Sequence, residues 1–134
     1  MKVLIKPKKK LIVTIAIGNE YQNIWKKNIY PSWRLYCKKY NLGLIVFERD
    51  LVPKNSEYWK KATWQRLLVG EKVRELFPKV DDVCFLDTDI IINPTAPNIF
   101  LYQKKNKINL TSLRTKLPFE YKKTIRKMAY FRKK

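Results

Sequence analysis

The sequence has little cysteine, no long apolar run, no repeat and few acids outside its middle. Cys37 and Cys84 are the two cysteines, in segments that read as a helix and a buried strand. They exclude a disulfide framework and a zinc centre, and point to core thiols in a reducing compartment. The most apolar early stretch, "LIVTIAI" (Leu11 to Ile17), is too short to cross a bilayer. Basic residues precede it, as in a signal peptide, but "GNEYQN" follows in place of a small-residue cleavage site, so a first strand and a cytoplasmic location are expected. Without a repeat or a Gly/Ser linker, the 134 residues suit one domain, burying roughly 60% of its unfolded surface.

What is present is a folded composition carrying excess positive charge. Hydrophobic residues make up 46% and aromatic residues 13%, against a formal net charge of +19. The charge sits at the ends: residues 1–10 hold five Lys and no acid, and residues 101–134 hold twelve Lys or Arg against Glu120 alone. Such ends suit a phosphate-bearing partner such as a nucleic acid, an anionic surface or a nucleotide. The plainer reading is a lysine-rich surface reflecting coding bias, since Lys, Asn and Ile are all abundant.

Between Lys10 and Phe100 the periodicity alternates. "LIVTIAI" reads as a strand buried on both faces and closed by Gly18 and Asn19. Trp25, Ile29, Trp33, Tyr36 and Tyr40 then recur every three or four residues, predicting a helix over 20–40 kinked at Pro31. "LGLIVFE" is a second strand. Ser56 is expected to cap a long helix with Trp59, Ala62, Arg66, Val69, Val73 and Leu76 on one face, ending near Pro78. "DDVCFLDTDIII" is the third strand. The order strand, helix, strand, helix, strand predicts an α/β fold with a mostly parallel sheet and flanking helices.

Asp87 and Asp89 interrupt that third run. In extended backbone their side chains point the same way, and Thr88 faces away. Converging carboxylates repel unless a cation lies between them, which suggests Mg²⁺ or Mn²⁺ held together with substrate phosphate. Glu48 and Asp50, at the end of the second strand, are acids that a ribose or base could engage, or simply turn residues. Arg66, on the apolar face of the helix, is expected to pair with a buried acid not identified from the sequence. Trp59 and Trp64 read as packing residues.

The stretch "YWKKATWQRLLVGEKVRELFPKVDDVCFLDTDIIINP" resembles the centre of GT-A-fold nucleotide-sugar glycosyltransferases, and is similar to the Golgi mannosyl- and galactosyltransferases and plant xylosyltransferases. The resemblance spans Leu11 to Phe100 in element order, with its specific motifs between Tyr58 and Pro94. It implies a Rossmann-like GT-A fold and a nucleotide-sugar-binding half-domain over 1–100, followed by a basic helical tail over 101–134. It implies that Asp87 and Asp89 meet the metal and diphosphate, Lys61 the phosphates, and Ala16, Gly18 and Asn19 the base and ribose. The expected activity is metal-dependent transfer of a sugar from UDP or GDP to an unassigned acceptor.

Three features depart from that family. Histidine, which commonly completes its metal site, is absent, and only about 40 residues follow Asp89. The segment from Lys107 to Lys134 also lacks the acceptor-site pattern. The chain therefore reads as a truncated or minimal donor-binding half, or one completed by a partner, with its tail available to an anionic surface. Alternatives are a basic nucleic-acid-binding module and an inactive remnant of the transferase fold. A haloacid-dehalogenase-type phosphotransferase fits poorly, because Asp87 comes late and Glu120 is the one acid after Asp89.

Overall fold

The sheet runs β1 (Lys2–Ile5), β3 (Gly43–Phe47), β2 (Lys10–Ile15) and β4 (Asp82–Phe85) across its width in a computed structural model that describes residues 1–104 and 107–109. The chain divides into two units, Met1–Leu101 and Tyr102–Lys134, and the sheet with its covering helices belongs to the first. The basic helical tail expected over 101–134, with its contact to an anionic surface, lies almost wholly outside the described residues. Among the described residues no helix is long and apolar enough to cross a membrane.

β2 pairs in parallel with β3, Leu11 facing Gly43 through to Ile15 facing Phe47, and in parallel with β4, Lys10 facing Asp82 through to Val13 facing Phe85. β1 pairs antiparallel with β3. The sheet is therefore mixed, which corrects the mostly parallel sheet expected. The lysines of "MKVLIKPKKK" hide the short run Val3–Ile5, whose Leu4 and Ile5 pack against the core while Lys2 and Lys6 keep the edge charged.

β2 and β3 are nearly continuous Val, Ile and Leu because both faces are covered. Ile12, Leu44 and Val46 pack with Trp25, Ile29 and Trp33, whereas Leu11, Val13, Ile45 and Phe47 pack with Val69 and Val73. The two helical layers thus cover opposite faces. The first layer is α1 (Asn19–Ile24), a π turn (Trp25–Ile29) and α2 (Tyr30–Lys39). The π turn precedes Pro31, which has no N–H to give the carbonyl four residues back. The ladder shifts, and the Tyr30 N–H reaches the Trp25 carbonyl.

The second layer departs from the expected long helix. Ser56 caps no helix; its hydroxyl accepts the Tyr58 N–H within a turn. Residues 50–61 run as loop and turns, and only then come α3 (Ala62–Gln65), a 3₁₀ turn (Arg66–Leu68) and α4 (Val69–Leu76). Val69 and Val73 are buried, but Arg66 and Leu76 are exposed.

After β4 the chain is strapped across α2. Pro94 and Pro97 have no N–H to offer a sheet, and the carbonyls of this segment are taken by helix side chains. Lys39 Nζ donates to Pro94 O (3.2 Å), the Tyr40 hydroxyl to Ala96 O (2.8 Å) and the Tyr36 hydroxyl to Pro97 O (2.8 Å). The Tyr36 hydroxyl also accepts the Ile99 N–H at 2.7 Å.

Cys37 is a core thiol, and Cys84 packs against the core from β4. Cys37 is buried and Cys84 half-buried. Burial, with the nearby Cys84 a lesser cause, pushes the Cys37 thiol up to about 12, and burial alone pushes Cys84 to about 11. Each thiol holds its proton more tightly folded than unfolded. Their contribution to stability is therefore full below pH 9, the ordinary thiol value, and is lost as pH rises through 11 to 12. Two outcomes are expected: a melting temperature that falls steeply above pH 9, and iodoacetamide labelling at pH 8 that occurs in urea but not in buffer. Rapid native labelling would contradict this placement.

Candidate functional site

β2 is where the strand order reverses. The chain leaves β2 for β3 on one side and later returns past it to β4 on the other. In open α/β sheets the crevice at such a point, beyond the carboxyl ends of the strands, is where ligands bind. A cleft of about 350 Å³ lies there. β2 and its exit supply Ile15, Ala16 and Ile17, and β4 and its exit supply Phe85, Asp87 and Thr88. The start of the second helical layer supplies Lys61, Ala62, Thr63 and Arg66, and Tyr21 of α1 completes the wall.

Three of the six residues expected to meet metal or nucleotide thus gather in one cavity: Ala16, Lys61 and Asp87. Gly18, Asn19 and Asp89 stand outside its lining. Ala16 is fixed by its N–H, which donates to Phe47 O (2.9 Å) and extends the parallel ladder past β2. Gly18 then adopts φ +95, a region closed to residues with a Cβ, and its carbonyl accepts the Gln22 N–H at 3.0 Å. That bend directs the chain away from the sheet into α1.

Lys61 immediately precedes α3, and its carbonyl accepts the Trp64 N–H at 2.8 Å. The loop leading to Lys61 is held by Gln65, a buried amide with all its polar groups engaged. Gln65 Nε2 donates to Asp50 Oδ1 (2.6 Å) and Lys60 O (2.7 Å), while Oε1 accepts the Leu51 N–H (2.5 Å). Asp50 is thereby a loop anchor. Glu48 pairs with Lys26 at 3.3 Å, and neither acid lines the cleft.

β4 stops at Phe85, so Asp87 and Asp89 do not share the extended backbone expected of them. The Leu86 N–H still donates to Val13 O (3.0 Å), but the Ile90 N–H then folds back to Asp87 O (3.3 Å), closing a turn over Asp87–Ile90. Thr88, expected to face away, lines the cleft. Ile90 and Ile91, read as part of the third strand, lie beyond it and are exposed.

Among the described residues Arg66 does not meet the buried acid expected; it pairs with Asp87 at a nitrogen-to-oxygen distance of 4.0 Å, and both side chains are about half exposed. A pair of that kind contributes about 0–1 kcal/mol, so either partner can exchange it for a ligand. Trp64 is 65% exposed and no packing residue, whereas Trp59 is half-buried with its indole N–H unpaired. Tyr21, Thr63 and Thr88 carried no sequence signal, because each enters the cleft through a turn or a short helix without a periodic pattern.

The cleft therefore presents two cations and one carboxylate, with a second carboxylate two residues further along an exposed turn. Among the described residues no group of three or more Cys, Asp or Glu side chains converges as a metal cage. Two oxygen donors do suit a hard cation that fills the rest of its shell with water and phosphate oxygens, and they do not suit a closed zinc site. Compared with protein-family models, curated proteins and solved structures, the chain matches none.

Proposed function

We propose that this unit is the donor-binding part of a metal-dependent glycosyltransferase of GT-A type, taking a UDP- or GDP-sugar. The observation that carries the reading is the meeting of Ala16, Lys61, Arg66 and Asp87 in one cleft at the point where the strand order reverses. Ala16, Gly18 and Asn19 border the base and ribose, and Lys61 and Arg66 face the diphosphate. Asp87 and Asp89 would hold Mn²⁺ or Mg²⁺, which when bound supplies charge stabilisation to the departing diphosphate.

The chain's own contribution is electrostatic. Breaking the sugar–phosphate bond builds negative charge on the leaving phosphates, and fixed cations at that position stabilise the transition state more than the ground state. Lys61 stands where the loop enters α3, so its backbone is set by the Gln65 network before any ligand arrives. Arg66 gives up only a weak contact with Asp87 when a phosphate takes its place.

Calorimetric titration of UDP and of GDP into the protein, in Mn²⁺ and in chelator, tests the reading. Binding that needs the cation is expected. Equal binding with and without cation, or none, would contradict it. The competing nucleic-acid reading predicts instead strongly salt-dependent binding of generic RNA or DNA that Asp89→Ala leaves unchanged.

A further inference from the structure

We propose that Trp33 is a positioning residue for the carboxylate turn: its indole N–H holds the Ile90 carbonyl and so sets the separation of Asp87 and Asp89. The inference rests on the donor-binding reading and extends it to a residue that does not line the cleft.

The turn is attached at both ends. Its entrance is tied to the sheet by the Leu86 N–H on Val13 O. At its exit Trp33 Nε1 donates to Ile90 O at 2.7 Å, and the Ser32 hydroxyl accepts the Ile92 N–H at 3.2 Å. Ser32 spends its own proton on Ile29 O (2.8 Å), which orients the oxygen as an acceptor for the strap.

Trp33 is fully buried and packs edge-on against Trp25, with ring centroids 5.6 Å apart at 83°. In so close-packed a core its ring has little freedom to follow a moving partner. The donor is fixed, so the carbonyl must come to it. Ile90 directly follows Asp89, and the same residue's N–H closes the turn on Asp87. One residue therefore links the core indole to the backbone of both acids.

Beyond Ser32 at Ile92 and the exposed Lys39 at Pro94, the attachments of the strap are further along the chain. Tyr36 binds at Pro97 and Ile99, and Tyr40 at Ala96. They suffice to hold the segment on α2, which leaves the placement of the acids as the distinct consequence of the Trp33 bond. Mg²⁺ demands near-octahedral geometry, whereas Ca²⁺ accepts six to eight oxygens in looser arrangements. Loosening the turn should therefore harm the stricter ions first.

The test uses the full chain and titrates whichever of UDP and GDP the wild type binds, in Mn²⁺, Mg²⁺, Ca²⁺ and chelator, for wild type, Trp33→Phe, Ser32→Ala and Tyr36→Phe. Trp33→Phe is expected to weaken Mn²⁺- and Mg²⁺-dependent binding by about 10- to 100-fold, the range for residues that orient a metal ligand from outside. Ca²⁺-dependent binding should fall less, and binding in chelator should not change. Ser32→Ala should move the same ratios by a smaller factor, and it carries the test if Trp33→Phe does not fold. Tyr36→Phe should lower the melting temperature and leave the ion ratios alone. Equal losses with all three ions, or the same ratios in Trp33→Phe and Tyr36→Phe, would overturn the inference. A wild type without cation-dependent binding of either UDP or GDP would overturn the donor reading itself, and that result is visible before any variant is made.

Discussion

Asp89→Ala is expected to lower the Mn²⁺-dependent affinity for a nucleoside diphosphate by roughly 100-fold or more, because changes merely outside a metal's ligands already cost up to about that factor. Binding in chelator should be unchanged, since Asp89 stands outside the cleft lining. Asp87→Ala should differ in an informative way. It removes a second oxygen donor, so cation-dependent binding falls similarly. It also releases Arg66 and deletes the one carboxylate lining the cleft, so diphosphate binding in chelator should hold or rise. Calorimetry of both variants in Mn²⁺ and in chelator checks the pair of signs. A parallel fall in all four titrations would mean that the acids support the local fold and no metal.

The second large effect concerns stability. Gln65→Leu keeps a similar volume but strands the Leu51 N–H, the Lys60 carbonyl and one Asp50 oxygen. Losing hydrogen bonds so that buried partners are left unpaired costs about 1–3 kcal/mol per group, and the half-exposed Asp50 recovers part of its share from water. A loss of roughly 2–4 kcal/mol is expected, a large part of the 5–15 kcal/mol of a typical domain. At about 4–8 °C per kcal/mol for a domain of this size, Tm should fall on the order of 15 °C.

Gln65→Glu separates hydrogen bonding from shape. It keeps the acceptor for Leu51 but sets a carboxylate against Asp50 and the Lys60 carbonyl. Burial and Asp50 both raise the pKa of the introduced group above its unfolded value, so its deficit should grow as pH rises through that raised pKa and shrink towards acid. Thermal melts at pH 5 and pH 7 test this. In either variant Lys61, next in the chain to Lys60, loses its support, so nucleotide affinity should fall along with Tm.

Much of the frame is legible from residues alone. β2 and β3 are apolar apart from Lys10 and Thr14 because helices cover both their faces, and a run such as Leu11–Val13 has no polar side to offer a helix pattern. The first helical layer follows from Trp25, Ile29, Trp33 and Tyr36 at helical spacing, and Pro31 forecasts its irregularity. The place of the acids after an apolar strand points to a sheet edge, which is where Asp87 stands.

What escapes is what depends on contacts far apart in the chain. Trp33 meets Ile90 across 57 residues and Tyr36 meets Ile99 across 63, and no local pattern announces such bonds. β1 escapes because its apolar residues are few and set among lysines, and an edge strand needs only one covered side. The second helix escapes because periodicity registers the apolar spacing of Val69 and Val73 but not Gln65. That buried amide holds residues 50–61 as a loop and delays the helix to Ala62. Thr88 enters the cleft because the backbone turns after Phe85, and the alternation of an extended strand ends there.

Nuclear magnetic resonance with Mn²⁺ as a paramagnetic probe locates the cation without assuming any activity. With UDP or GDP present, amide signals should broaden in residues 15–19, 61–66 and 85–90, the three segments that surround the cleft. The same Mn²⁺ added to Asp89→Ala should leave them sharp. Broadening centred instead on Glu71, Glu75, Asp81 or Asp82, or no localised broadening with nucleotide present, would contradict a cation and diphosphate site at the carboxyl ends of β2 and β4.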